Sequence, residues 1–329
     1  MVRDRKEITF TVLEGKNDSS LDDFCSEVYE IPLSQKSSRS EPFSFSTTVK
    51  FISLRSLRRC MRHLVALAFL FTCFAHSALF SEEGMQRDRS VDVVVFSFDR
   101  PMQLFAFLES AEKYLTGTGN MHVIYRSSSA AFENGYAEVI ESFPKAIFHK
   151  HSSDAASDFK SFVLTALQSS SLYMMFAVDD LIVKDYVDLQ ACTKALSDHE
   201  AWGFFLRLGK NINYCYMLEK ATPCPLGVDI GADLFCWEFS AGDGDWAYPN
   251  NTDMTIYLKD DILPFLQNEA YAHPNALEYK WQNWVVKNTK QKGICFQSSK
   301  NINVPLNVVN ATSGCKQIVF TPLQLLEKF

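Results

Sequence analysis

The chain has 329 residues, 47% of them hydrophobic and 22% charged, with a formal net charge of −7. That balance excludes a wholly disordered, collagen-like or coiled-coil chain, and thirteen Gly with eleven Pro are too few for low complexity. The acidic total argues against a duplex-binding protein, which needs a concentrated basic face, so no nucleic-acid partner is expected. A small anionic ligand stays open, because a few basic groups or a metal can hold it locally.

Residues 1–60 are polar, mixed in charge and without a sustained period, and read as disordered or as a non-native extension of the chain. Arg55, Arg58, Arg59 and Arg62 then precede the apolar run Leu64–Phe80, which ends among Ala75, Ser77 and Ala78. A basic flank, an apolar run and small residues form a secretory signal pattern, best placed if translation starts at Met61. Residues 61–82 are therefore expected to be a signal peptide or, if uncleaved, a membrane anchor through 64–80; a buried core helix is the alternative. The expected location is membrane-associated or secretory, with either membrane face open. Cys192, Cys215, Cys224, Cys236, Cys295 and Cys315 follow, an even count that permits disulfides but not their pairing. Asn250-Asn251-Thr252 and Asn310-Ala311-Thr312 match the glycosylation sequon.

From Val91 the pattern becomes regular. Val91–Phe98 is a β-branched apolar run that predicts a buried strand, and Pro101 suits the first turn of a helix over Met102–Tyr114. Strands at Met121–Tyr125 and Ala146–His149 alternate with helices at Ala130–Phe143 and Asp154–Ser169. Leu172–Val178 and Ala201–Leu208 predict further strands. Residues 209–255 read as loop-rich, with a strand near Leu234–Glu238; helices return at Lys259–Gln267 and Ala276–Asn288. Alternation of this kind predicts a three-layer α/β/α sandwich with a mostly parallel central sheet over residues 86–329. Ligands in such sheets sit beyond the carboxyl ends of the strands. Two of those ends carry polar groups, Phe98-Asp99-Arg100 and Val178-Asp179-Asp180.

The second is the strongest chemical feature. Two adjacent carboxylates at a buried strand end repel each other and cost desolvation. A divalent cation relieves both, and hard oxygen ligands suit Mg²⁺ or Mn²⁺. The bland alternative is a solvated turn or a helix cap. Val91–Leu104 (VDVVVFSFDRPMQL), followed about eighty residues later by MMFAVDDLIVKD, resembles the GT-A-type glycosyltransferases. The match is to an X-Asp-Asp variant of their Asp-X-Asp motif, with Val178 in the first place, and it covers roughly Val91–Leu208. The resemblance implies a nucleotide-sugar donor, with Phe98, Asp99 and Arg100 lining the nucleotide pocket. It implies Asp180 as metal ligand and Asp179 as metal or ribose neighbour. It also implies a donor half at 86–210 and an acceptor half at 211–329, the acceptor being a glycan, lipid or protein. Lys160 is a further candidate for the diphosphate, since cations favour phosphate. Arg207-Leu208-Gly209-Lys210 is placed to approach the donor as well.

Acceptor-side candidates come from the Gly-, Asp- and aromatic-rich stretch Trp237–Pro249, in which Asp243, Asp245 and Trp246 offer carboxylates and a ring to a sugar. An exposed turn is the alternative there. An inverting transfer needs one carboxylate to deprotonate the acceptor hydroxyl, and Glu278 and Asp253 are the candidates. Other classes fit less well. The first strand lacks an Asp-X-Asp-X-Thr phosphatase turn, no Gly-X-Gly-X-X-Gly follows a strand, and Gly-X-Ser-X-Gly is missing. The rival is a non-catalytic glycan- or nucleotide-binding protein on the same fold.

Overall fold

The computed structural model describes residues 88–152, 155–215, 218–288, 290–307 and 320–329. The readings of 1–60 and 61–82, the sequon at Asn310 and Cys315 lie outside the described residues. Among the described residues no helix is long and apolar enough to cross a membrane. Residues 87–329 form one compact unit.

The first part follows the predicted order closely: β1 (Val91–Phe98), α1 (Pro101–Tyr114), β2 (Leu115–Thr116), β3 (Thr118–Arg126), α2 (Ala130–Ser142), β4 (Ile147–Lys150), α3 (Ala155–Ala166) and β5 (Tyr173–Val178). β1 is apolar on both faces because it is central. Val91, Val93 and Val95 turn to one core, while Val94 and Phe96 turn to the other. Pro101 fills the first helical turn of α1, where a missing N–H costs nothing.

Then come β6 (Leu181–Val183), β7 (Val187–Asp188), α4 (Leu189–Asp198), β8 (Gly203–Phe205), β9 (Tyr214–Cys215), β10 (Lys220–Ala221), β11 (Gly227–Gly231) and β12 (Leu234–Glu238). Two short 3₁₀ turns, Phe239–Ala241 and Gly244–Ala247, lead to β13 (Thr255–Leu258), α5 (Lys259–Asn268), α6 (Pro274–Asn288), β14 (Lys292–Phe296), β15 (Asn301–Asn303) and α7 (Pro322–Leu326). Helix α4 starts at Asp188, whose side chain accepts from the N–H groups of Gln190 and Ala191 and so caps two orphan donors.

Nine strands make one sheet in the order β11-β12-β14-β8-β13-β5-β1-β3-β4. Leu104, Phe107 and Leu108 of α1, Tyr136 and Val139 of α2, and Leu189 and Leu196 of α4 pack on one face. Phe159 and Val163 of α3, Ile262 and Phe265 of α5, and Trp281 of α6 pack on the other. The three layers are as expected, but the sheet is mixed rather than mostly parallel. β1/β3, β1/β5, β3/β4 and β8/β14 run parallel. The pairs β5/β13, β8/β13, β12/β14 and β11/β12 run antiparallel. Two strands run backwards, β13 between β5 and β8 and β12 between β14 and β11. Strands from both sides of residue 210 therefore interleave in a single sheet.

Several expectations change with burial. Asn250 is fully buried; its side chain accepts from Trp202 Nε1 (2.8 Å) and donates to the Trp281 carbonyl (3.1 Å), so this sequon has no room for a glycan. Cys192, Cys215, Cys224, Cys236 and Cys295 are free thiols. His149, on the edge strand β4, is partly buried and stacks on His122, with ring centroids 5.3 Å apart.

Candidate active site

The Asp179–Asp180 turn links β5 to β6 at the carboxyl edge of the sheet. Its backbone is pinned on both sides: Asp179 N–H donates to the Phe96 carbonyl (3.1 Å), and the Asp180 carbonyl accepts from Val304 N–H (2.7 Å). The Asp179 carboxylate is 4% exposed and accepts from Arg100 Nη1 (2.9 Å) and Phe98 N–H (3.3 Å). The same Arg100 Nη1 reaches Asp180 at 3.2 Å. Arg100 is held from behind by the carbonyl of Asn307, whose side-chain oxygen accepts from Gln103 at 2.9 Å. One guanidinium thus lies between two carboxylates.

The register of β13 brings a third acid here. Asp253 lies just before β13 and is joined to it by Met254, whose φ is 61°. Met254 N–H donates to the Phe176 carbonyl of β5 (2.8 Å), and its carbonyl accepts from Leu206 N–H just after β8 (3.1 Å). Arg207 Nε lies 3.2 Å from Asp253, and its two Nη atoms lie 3.2 Å from the two oxygens of Asp245. Asn303 on β15 stands between the two sides: its amide lies 3.5 Å from Asp180 Oδ1, and it favours the charged form of Asp253. The result is one string: Asp179, Arg100, Asp180, Asn303, Asp253, Arg207, Asp245.

Charge in this string is unevenly matched. Burial raises the Asp180 carboxyl above its ordinary pKa, and the neighbouring Asp179 adds to it; Arg100 opposes. Burial also raises Asp253, with Asp180 reinforcing and Arg207 opposing. Burial costs Arg207 some of its charge, but Asp253 and Asp245 more than offset this and its pKa is raised. Glu278 accepts from Thr252 N–H at 3.2 Å, and burial followed by the charge of Asp253 pushes it up to about 8. It is therefore mainly neutral at pH 7. Tyr248, half-buried and hydrogen-bonded to Gln282, stands beside Glu278 and is raised by burial and by that neighbour.

The predicted residues divide plainly. Asp179, Asp180, Arg100, Asp253, Asp245 and Glu278 meet here. Asp99 does not line an open pocket: it is 7% exposed, and its oxygens accept from Ser128 N–H (2.8 Å) and Ser128 Oγ (2.6 Å). Its left-handed φ of 53°, which Asp tolerates, turns the chain so that β1 and β3 end together. Phe98 keeps a partly exposed ring under Arg126. Lys160 is spent elsewhere, its ammonium donating to the carbonyls of Gln267 (2.6 Å) and Glu269 (2.8 Å) at the end of α5. Trp246 is fully buried against Trp237, with ring centroids 5.0 Å apart, and a ring with no exposed face offers none to a sugar. Asp243 is exposed, caps Gly244 and pairs with Lys220 at 2.7 Å. Asn303, Tyr248 and Arg126 carry no sequence signal of their own; only the packing of strands far apart in the chain brings them here.

A divalent ion fits one side of this arrangement. Asp179 has both oxygens engaged, whereas Asp180 is 15% exposed and its Oδ1 has only the long Asn303 contact. Among the described residues no three His, Cys, Asp or Glu side chains form a metal-holding group. Mg²⁺ and Mn²⁺ do not require one, since one or two carboxylates suffice when substrate phosphates supply the other oxygens.

Acids and guanidinium groups thus converge at one edge of an α/β sandwich, the edge at which such folds hold their ligands. No family model matches the chain. It is 27% identical over 252 residues to the bifunctional glycosyltransferase pgtA of Dictyostelium discoideum. That similarity covers 68% of this chain and 32% of the relative, so the chain spans about a third of the relative's length. The resemblance to glycosyltransferases seen in the motifs thus extends to a curated glycosyltransferase. Among solved structures, S. aureus TarS 1–349 in complex with UDP gives a TM-score of 0.42 at 11% identity, covering 64% of this chain and 59% of that one. Mannosyltransferase PcManGT from Pyrobaculum calidifontis, in complex with GDP-Man and Mn²⁺, gives 0.35 at 8% identity, covering 72% and 64%. At these scores the likeness is partial.

Proposed function

We propose that the chain is a glycosyltransferase that moves a sugar from a nucleotide-sugar to an acceptor hydroxyl, with Mn²⁺ or Mg²⁺ at Asp180. The observation that carries this is the proximity of two acid clusters, Asp179 and Asp180 held by Arg100 and Asp253 held by Arg207, with the charge of Asp180 acting on Asp253. It puts a metal-competent carboxylate and a second, separately held carboxylate in one site. The sequence relative named as a glycosyltransferase supports the same reaction class.

Roles follow from the surroundings. Asp179 fixes Arg100, and Arg100 keeps two adjacent acids compatible at a buried turn. Asp180 would hold the ion, which would supply charge neutralisation for a leaving diphosphate. Asp253, with a quarter of its side chain exposed, takes the acceptor proton in an inverting transfer. Burial raises its pKa above that of an ordinary carboxylate, which strengthens it as a base, and Arg207 opposes that rise. Glu278 cannot share that task at neutral pH because it holds its own proton. It positions Thr252, next to Asp253, through the hydrogen bond to the Thr252 N–H.

The test is sugar release and transfer by the full chain with UDP-, GDP- and CMP-sugars, with and without Mn²⁺. Turnover of one donor that depends on the ion supports the assignment. Donor binding without turnover would shift it to a non-catalytic binding protein. Asp253→Asn is expected to lower kcat by about 10²–10⁴-fold, the usual worth of a positioned base, and Glu278→Gln to leave kcat near wild type. A loss confined to Glu278→Gln would reverse the two roles.

Glu278 also makes a stability prediction. Its folded pKa of about 8 exceeds the unfolded value of about 4.3, so its contribution is fully present below pH 4.3 and is lost as pH rises through 8. Glu278→Gln removes this loss. The variant's Tm is expected to exceed wild type's at pH 8–9 and to approach it at pH 5. Parallel Tm curves for the two proteins would show that Glu278 ionises normally.

A further inference from the structure

Three arginines stand at the carboxyl ends of β1, β3 and β8, and two of them are already spent. Arg100 lies against Asp179, Asp180 and the Asn307 carbonyl. Arg207 lies against Asp245 and Asp253. Arg126, the last residue of β3, differs. Among the described residues it has no carboxylate within ion-pair distance, and its side chain lies over the Phe98 ring at 5.1 Å. The stacking follows from the parallel register, which pairs Phe98 with Arg126.

The surrounding backbone is built to hold this pair still. Asp99 N–H donates to the Arg126 carbonyl (3.2 Å), and the Asp99 carboxylate grips Ser128 two residues further on. A guanidinium laid on an aromatic ring keeps its planar fork oriented while its N–H edges stay free to donate. The neighbours do not cancel its charge. Lys150 on β4 is paired with Glu133 at 2.6 Å, and burial holds the facing His151 below its ordinary pKa, so it is neutral at pH 7. Glu133 is occupied by Lys150 and Ser127. A uncommitted cation is thus fixed beside an otherwise acid-rich site, where a diphosphate would meet repulsion from the nearby aspartates.

We propose that Arg126, seated on Phe98, is the donor-side anion contact and pairs with the diphosphate of the nucleotide-sugar. This rests on the donor reading above and adds the group that recognises the donor's charge. An ammonium can serve the same charge without the stacking, whereas a neutral side chain cannot.

The experiment measures binding of UDP, GDP and the matching nucleosides to the full chain by calorimetry, with Mn²⁺ present. It compares wild type, Arg126→Ala and Arg126→Lys. Arg126→Ala is expected to weaken nucleoside diphosphate binding by about 10–100-fold, with nucleoside binding unchanged and Arg126→Lys recovering most of the loss. Equal diphosphate affinity in Arg126→Ala and wild type would overturn the assignment. So would an equal loss for nucleoside and diphosphate, which would mean that Arg126 reads the base. If wild type binds no nucleoside diphosphate at all, the donor reading falls and Arg126 with it. Arg126 is partly buried, and Tm of each variant checks that it folds.

Discussion

Asp180→Asn is expected to lower metal-dependent sugar transfer by at least about 100-fold, the scale on which single groups stabilising developing charge act. The same change is expected to leave Tm unchanged or raise it. Asp180 is crowded by burial and by Asp179, both of which disfavour its charge in the folded chain. A neutral amide keeps a contact to Arg100 and sheds the repulsion. Asp179→Ala should behave differently. It removes the better-buried partner of Arg100 and the acceptor of the Phe98 N–H, so Tm should fall along with activity. Activity and Tm measured on both variants separate a metal ligand from an anchor. If Asp180→Asn retains ion-dependent turnover, the metal lies elsewhere.

The second large effect lies at the opposite end of β1. Asp92 is fully buried and accepts from Asn120 N–H (2.7 Å), Ser171 Oγ (3.1 Å), Ser169 Oγ and Lys259 Nζ (2.6 Å). Lys259, at the start of α5, is 7% exposed. Removing one member of such a pair leaves an uncompensated buried charge. Lys259→Met is therefore expected to cost about 3–5 kcal/mol, or roughly 6–20 °C in Tm. Asp92→Leu combined with Lys259→Met should recover much of it, because two apolar groups strand no charge. Phe98 lies six residues along β1, about 20 Å away, so kcat of whatever folds should stay near wild type. A Lys259→Met variant with wild-type Tm would show that Asp92 is satisfied by its serines alone.

The first part of the fold is legible because β1 and β5 are apolar runs bounded by polar turns, β3 and β4 carry short apolar stretches, and the helices show their period; the two-residue β2 gives no signal. The later strands give weaker signals. Thr255–Leu258 has four residues, and nothing local states that it will run antiparallel between β5 and β8. The Asp179–Asp180 turn is legible because two acids ending an apolar strand demand a counter-charge. That this charge comes partly from Arg100, and that Arg207 holds Asp253, depends on pairings about 80 and 50 residues apart in the chain. Trp246 illustrates the limit of composition. A Trp among Gly and Asp suggests a sugar platform, yet it serves as core because Phe235 and Trp237 of β12 close over it. Lys160 is similar: a lone cation on a helix face is equally suited to the carbonyls ending a neighbouring helix.

The position of Asp253 has a consequence for how this site can vary. It is set by hydrogen-bond register on both sides, next to β5 and next to β8. Its place beside the Asp179–Asp180 turn is thus fixed through Met254, bonded on one side to the Phe176 carbonyl and on the other to Leu206 N–H. Length changes in the stretch before β13 are absorbed only if they preserve the pairing of Ile256 with Met175. A slip of one residue would send the acid to the opposite face of the sheet. Variation around Asp253 is therefore confined to substitutions on a fixed frame, and insertions just before β13 should be tolerated less well than between β9 and β10.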